Sequence, residues 1–335
     1  MVVTFGARIA GMGMDVPVRV VTNKDLEAVV DTTDEWIFTR TGIRERRIVA
    51  DNQSTGDLAV AACRDALRSA GIAIDDIEMI VLSTCTGDTN MLPATATYVQ
   101  TELGASHIPA FDLSAACSGF VYGLDIAHQY IATGRYRRIL VVGAEAMSRV
   151  VDWTDRASCV LFGDGAGAAV VERCPPGQGI LGTKIAANGS GACLLQVPAG
   201  GAREPLTADT VGTKRQFLHM DGKAVYSFAV EIMGEAAMAA LETAGILPSD
   251  IDLLVPHQAN IRIIKSAAER MGLPLEKVFI NVDRYGNTSA ASIPIALTEA
   301  VRSGRLKDGN LVVTVGFGAG LTWGANVMRW GQVNP

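Results

Sequence analysis

A sixteen-residue segment occurs twice in this chain, and a duplicated segment restricts the possible folds more than composition does. Ala66-Leu-Arg-Ser-Ala-Gly-Ile-Ala-Ile-Asp-Asp-Ile-Glu-Met-Ile-Val81 returns, without a gap, as Ala240-Leu-Glu-Thr-Ala-Gly-Ile-Leu-Pro-Ser-Asp-Ile-Asp-Leu-Leu-Val255. Each copy reads as a helix stopped by glycine (Gly71, Gly245), an Asp-containing turn, and a short apolar run of the kind that forms a buried strand. Two copies of one helix–turn–strand unit predict two α/β halves stacked on a shared core. The expected division is 1–174, carrying Cys117, and 175–335, carrying His257 and Asn287. No Pro/Ser-rich linker or charge block separates them.

The echo continues downstream. Phe111-Asp112 leads through small residues to Cys117, a helix ending near Gly134, and Ile139-Leu-Val-Val-Gly143. Val282-Asp283 leads through Tyr285-Gly286 to Asn287, a helix ending near Gly304, and Leu311-Val-Val-Thr-Val-Gly316. This alignment makes Asn287 the counterpart of Cys117. His257 closes the apolar run Ile251–Pro256, so all three residues fall at strand ends, where α/β folds bind ligands.

Cys117 sits in Asp112-Leu-Ser-Ala-Ala-Cys-Ser-Gly-Phe120, where an extended run gives way to a helical pattern. The unpaired N–H groups and positive dipole end of a helix stabilise a thiolate there, which predicts a thiol pKa below the ordinary value of about 8.5. Gly163-Asp-Gly-Ala-Gly-Ala168 matches the dinucleotide pattern G-x-G-x-x-A, but Ala169-Val-Val-Glu172 after it is strand-like and offers no helix N-terminus for a pyrophosphate. A glycine turn between two strands is expected instead.

Composition excludes several function classes. A net charge of −6 and a pI near 5.3 argue against a general nucleic-acid binder, which needs clustered Lys and Arg to neutralise phosphates. Six Cys are scattered without a C-x-x-C pair, so neither a disulfide framework nor a structural zinc is expected, and no metal ligands are assigned. No run of about 18 apolar residues, and no charged n-region before an apolar h-region, points to a membrane. The expectation is a soluble cytoplasmic protein.

Three motifs in their order carry a resemblance. Cys117 in the setting above, His257 in Val255-Pro-His-Gln-Ala-Asn-Ile-Arg262, and Asn287 in Tyr285-Gly-Asn-Thr-Ser-Ala-Ala-Ser-Ile-Pro294 together resemble β-ketoacyl-acyl-carrier-protein synthase III. The likeness extends from Asp34-Glu-Trp-Ile-Phe-Thr-Arg-Thr-Gly-Ile-Arg44, through Phe162-Gly-Asp-Gly-Ala-Gly-Ala168, to Gly316-Phe-Gly-Ala-Gly-Leu-Thr-Trp-Gly324. It implies an α/β thiolase-like fold, five layers αβαβα built from duplicated halves, and a homodimer. It also implies an acyltransferase with no cofactor, coenzyme A thioesters and malonyl-acyl-carrier-protein being substrates.

The same resemblance implies roles. Cys117 would attack an acyl-CoA, with the oxyanion held by the backbone N–H groups of Cys117 and Ala319. His257 and Asn287 would donate to the enolate left when malonyl-acyl-carrier-protein loses carbon dioxide. Trp36 and Arg156 would sandwich the coenzyme A adenine, and Thr32, Arg40 and Asn260 would contact its nucleotide or pantetheine arm. Arg262 and Lys265, one turn apart, would meet the acidic carrier protein. Leu92 stands where the family pattern often has Phe before Pro93, at the floor of the acyl pocket, and predicts tolerance of primers longer or more branched than acetyl.

Other readings compete. A polyketide-type condensing enzyme, or a specialised acyltransferase of the same fold, shares the nucleophile. A Cys-His hydrolase would use His257 as base and Asn287 as its orienter. A non-catalytic scaffold would tolerate loss of one of the three residues, and all three are present.

Overall fold

Gly71 and Gly245 both adopt the left-handed conformation that a side chain resists, with φ of 65° and 66°. They end two long helices in the computed structural model, which describes residues 5–331: Thr55–Ala70 and Gly222–Ala244. Ser54 and Asp57 close a reciprocal capping box at the start of the first, and Asp221 caps the second. After each glycine comes a single 3₁₀ turn, then a strand wholly out of water, Met79–Ser83 or Leu253–Pro256.

The two sheets repeat one another. In the first, Gly6–Asp15, Asp164–Cys174, Arg138–Ala146, Met79–Ser83 and Ala110–Leu113 lie side by side in that order. In the second the order is Ile180–Ala187, Thr322–Arg329, Leu311–Gly318 and Leu253–Pro256, with the same sequence of antiparallel and parallel pairings. The fifth strand of the second sheet shrinks to a single bridge between Leu254 and Val278.

Helices Gly119–Ala132 and Ser292–Arg302 run between the sheets. The first is apolar on more than one side because it must cover two sheets at once: Phe120, Val121, Leu124, Ala127 and Ile131 are all inaccessible to water. Truncating Phe120 here would cost about 3–5 kcal/mol. Helix Thr55–Ala70 covers the outer face of the first sheet, and Gly222–Ala244 with Ile261–Arg270 that of the second. The result is five layers, αβαβα.

Three sequence expectations meet the structure, and two of them change. The run Gly163–Ala168 is not a turn: Asp164–Cys174 is a continuous buried strand. Glycine is needed because helix Ser292–Arg302 lies against it; a Cβ at Gly167 would fall 2.7 Å from Pro294 Cβ. Gly222–Ala244 is long and apolar enough to cross a membrane by length and composition alone, at a mean hydropathy of 1.4, but Lys223, Glu231, Glu235 and Glu242 interrupt it, so it is no continuous apolar run. It is partly buried and packs on the second sheet, which accounts for its apolar character. Third, the counterpart of Cys117 is Ala290, not Asn287. Turns Ala116–Ser118 and Ser289–Ala291 match residue for residue, each starting at positive φ (45° and 49°) and each leading into a buried helix. The inserted Gly286 and short helix Val282–Tyr285 had displaced the sequence alignment.

Candidate active site

Each candidate side chain reaches a cavity of about 210 Å³ on a different piece of backbone. Cys117 is the middle residue of the turn Ala116–Ser118, between strand Ala110–Leu113 and helix Gly119–Ala132. Holding Ala116 at φ 45° costs on the order of 1 kcal/mol, the strain that aims the sulfur out of the sheet. His257 follows strand Leu253–Pro256, with its N–H bonded to the Val315 carbonyl at 2.8 Å. Asn287 donates its N–H to Leu161 O at 2.8 Å and accepts from Gly163 N–H at 3.0 Å, so a first-half segment fixes a second-half residue.

The polar ends are sorted by their partners. Asn287 Oδ1 accepts from the Ser289 N–H at 2.8 Å, which leaves its NH2 group as the end toward the cavity. His257 Nδ1 lies 2.6 Å from Ser292 Oγ, while Nε2 is buried with no partner among the described residues. The ring meets Phe317 edge-on at 5.7 Å. Burial lowers the His257 pKa to about 3, so the imidazole is neutral at physiological pH.

For Cys117 the expectation of a lowered pKa is overturned. Burial pushes the thiol up to about 12; a hydrogen bond with Ser289 and the residue's own N–H oppose this, and the nearby Glu145 carboxylate adds to it. The turn does present N–H groups, but burial outweighs them, with 8% of the residue's surface left exposed. Among the described residues the hydrogen-bond partner of the sulfur is Ser289 Oγ, at 3.4 Å. Gly318 is where the turn carrying Ala319 comes against the nucleophile, since a Cβ there would lie 2.6 Å from Cys117 N. The Thr322 hydroxyl, 2.9 Å from Ala115 O and 3.0 Å from Ala319 O, clips the two turns together.

Ser289, Ser292, Thr322 and Glu145 were not found by sequence reasoning. The two serines lie inside the Asn287 motif and could have been read from it; Glu145, in a strand, gave no signal.

At the mouth, the arginines close on Trp36. Arg156 Cζ stands 4.8 Å from the Trp36 ring centroid and Arg40 Cζ 4.5 Å. A gap of 4.8 Å is too narrow to hold an adenine ring between the two groups, so Arg156, which donates to Asp31 O at 2.8 Å, has to swing away to admit one. Asn260 lines the cavity but spends its amide on Arg40 O and its oxygen on the Arg262 N–H as a helix cap. Thr32 is half-buried with a hydroxyl that has no partner among the described residues. Arg262 and Lys265 are exposed on the adjoining helix, although Arg262 also reaches Thr39 O. Leu92 is 85% exposed on a loop, outside the cavity of its own chain.

Two family models, 3-oxoacyl-[acyl-carrier-protein] synthase III and its C-terminal part, match residues 111–189 and 241–330. A β-ketoacyl-[acyl-carrier-protein] synthase III of Symbiobacterium thermophilum is 55% identical over 97% of this chain and 98% of its own. This chain belongs to the β-ketoacyl-acyl-carrier-protein synthase III family. The synthase III of Thermus thermophilus superposes with a TM-score of 0.90 at 47% identity, covering 97% of this chain and all (100%) of the other. The priming β-ketosynthase of the R1128 polyketide pathway superposes equally well, with a TM-score of 0.90, at 38% identity, covering 98% of this chain and 97% of the other. The protein is thus an acyltransferase of the thiolase-like fold, a condensing enzyme for the initiating step of fatty acid biosynthesis.

Proposed function

We propose that Cys117 takes the acyl group of a short or branched acyl-CoA and that His257 and Asn287 direct its condensation with malonyl-acyl-carrier-protein. In the first step the Cys117 thiol gives up its proton to a base within the site, Sγ bonds to the thioester carbon, the C–S bond to coenzyme A breaks, and solvent protonates the departing thiolate. The developing oxyanion faces the Cys117 and Ala319 N–H groups. In the second, malonyl-acyl-carrier-protein loses carbon dioxide, and the electron pair moves onto its thioester oxygen. The His257 Nε2–H and the Asn287 NH2 donate to that oxygen; the enolate carbon then attacks the acyl-Cys117 carbonyl and expels the thiolate. The product is β-ketoacyl-acyl-carrier-protein.

One observation carries this reading: the thiol and two hydrogen-bond donors, each with its other end already anchored, line one cavity. Neutral His257 is suited to donating and unsuited to storing a proton. Trp36 with Arg156, and Thr32, Arg40 and Asn260, would receive coenzyme A, while Arg262 and Lys265 would receive the carrier. The enzyme would work in the cytoplasm without a resident cofactor. In a homodimer the exposed Leu92 would floor the partner's acyl pocket, and its smaller side chain would admit isobutyryl and hexanoyl groups. The halves 1–174 and 175–335 would fold as one unit.

The test is intact-protein mass spectrometry with acetyl-, isobutyryl- and hexanoyl-CoA, then malonyl-carrier protein. The wild type is expected to gain one acyl mass and to lose it with release of carbon dioxide, and Cys117→Ala to gain none. Failure of every primer to load Cys117 would overturn the proposal, and a steady fall in acylation rate from acetyl to hexanoyl would overturn the role of Leu92. The likeness to the polyketide priming enzyme supports a second reading, a specialised pathway; preference for a primer other than acetyl with a dedicated carrier would favour it.

A further inference from the structure

Behind the nucleophile lies a carboxylate that the reaction as described does not use. Glu145, near the end of strand Arg138–Ala146, has no exposure to water. It accepts from Thr86 Oγ1 at 2.6 Å, Thr84 Oγ1 at 3.2 Å, the Cys85 N–H at 3.1 Å and the Cys85 thiol at 3.2 Å. Its remaining donor is the Ser289 hydroxyl, at 2.9 Å, and that same hydroxyl lies 3.4 Å from Cys117 Sγ. Every donor is neutral. The titratable groups facing the carboxylate are the Cys85 thiol, from the segment after strand Met79–Ser83, and the Cys117 thiol, from the opposing turn. A buried carboxylate without a cation is costly to keep, and burial raises its affinity for a proton. Ser289 is itself held at φ 49°, a backbone strain that places its hydroxyl between sulfur and carboxylate.

We propose that Ser289 and Glu145 form a proton relay that takes the proton of Cys117 as its sulfur attacks the acyl-CoA. The Sγ proton passes to Ser289 Oγ while the hydroxyl proton of Ser289 passes to a Glu145 oxygen, so the negative charge moves from the carboxylate onto the sulfur that forms the new bond. Glu145 stays neutral through the acyl-enzyme stage. When condensation expels the Cys117 thiolate, the two protons shift back and the resting state returns, with no net proton consumed by the relay. Ser289, which touches the reacting sulfur, is then a catalytic residue; Glu145 acts through it as a positioning residue. The relay explains how a thiol raised by burial, hydrogen-bonded among the described residues to Ser289 and not to the weakly basic His257, becomes a nucleophile. It rests on the reading of Cys117 as the acylated residue.

The test measures the rate of Cys117 alkylation by iodoacetamide from pH 5 to 10. Peptide mass spectrometry counts Cys85 separately, and the variants are Glu145→Gln and Ser289→Gly, glycine being free of strain at positive φ. Both are expected to slow alkylation of Cys117 at neutral pH by about 10- to 100-fold and to move its pH profile upward, with acyl transfer from acetyl-CoA falling in parallel. If Glu145 merely repels a thiolate, Glu145→Gln would instead speed alkylation and move the profile downward, which overturns the relay. Unchanged profiles in Ser289→Gly would overturn it as well, even if Glu145→Gln does not fold. Because alkylation needs no acyl-CoA, an enzyme whose alkylation obeys these expectations but that never takes an acyl group would overturn the acyl-CoA step, and with it the relay's place in acylation, while alkylation that fails them in an enzyme that is acylated would overturn the relay alone.

Discussion

The turns Ala116–Ser118 and Ser289–Ala291 share one backbone and carry different chemistry. Their matching positions pair Ala116 with Ser289, Cys117 with Ala290 and, three residues upstream of the nucleophile, Ser114 with Asn287. The same correspondence sets Ser83 against His257 at the ends of equivalent strands, and Gly119 against Ser292 at the first positions of the buried helices. Gly143 and Gly316 face Gly167 and Gly324 across equivalent strand pairs, so Glu145, two residues on, corresponds to Gly318. A duplicated fold thus supplied two strained turns on facing halves. The first half keeps the thiol on its turn; the second half supplies the hydroxyl from its turn, the amide from Asn287 just upstream, and the imidazole from His257 after strand Leu253–Pro256. Neither half alone contains a working set, so the chemistry depends on the interface between them.

Exchanging the turns is the strongest way to break the comparison. Cys117→Ala combined with Ala290→Cys moves the thiol to the counterpart position, away from the cavity, and acylation measured by intact mass is expected to vanish. Next in size, His257→Ala or Asn287→Ala should leave acylation in place while lowering condensation, read as carbon dioxide release, by about 10²- to 10³-fold, the effect of losing one preorganised donor. Equal loss of both steps would contradict the division of labour.

The equivalent glycines sharpen it. A Cβ at Gly143 would collide with the Ala290 carbonyl, whereas one at Gly316 would meet Cys117 O at 3.3 Å. Gly143→Ala should therefore cost about 2–3 kcal/mol in denaturant unfolding, and Gly316→Ala under about 1 kcal/mol. Gly71→Ala and Gly245→Ala place a side chain at the same left-handed φ with open space around it, and each should lose about 1 kcal/mol, the same for both halves.

The smallest expected effect is a null one, on pH. With His257 held neutral down to about pH 3, its protonation state does not change across the physiological range and it offers the same Nε2–H throughout. Decarboxylation should show no titration near 6.5 between pH 5.5 and 8. The stability sign is separate: the folded chain resists protonation at His257 while the unfolded chain accepts it near 6.5, so this residue's burial weakens the fold progressively as pH falls from about 6.5 toward 3.

Local pattern carried much of the fold. The glycine stops after Ala70 and Ala244, the buried strands and the strand-end positions of Cys117 and His257 are consequences of neighbouring residues, and neighbours are what a sequence displays. The pattern misled where one glycine served a purpose set by another layer: Gly167 reads as a turn, yet its absent side chain makes room for Pro294. It also misled where a short insertion shifted the second copy, so that Asn287 was aligned with Cys117 in place of Ala290.

By itself the sequence determined the duplication, the two α/β halves and the three residue types of the site, two of them after strands and Asn287 after the short helix Val282–Tyr285, because propensity, periodicity and glycine stops act over a few residues. Tertiary structure decided what those residues are chemically. It buried Cys117 and raised its thiol, kept His257 neutral, shut Arg156 onto Trp36, and brought Glu145 to Ser289 across 144 positions of chain. Protonation depends on lost water and on partners distant along the chain, and only the packed layers bring both about.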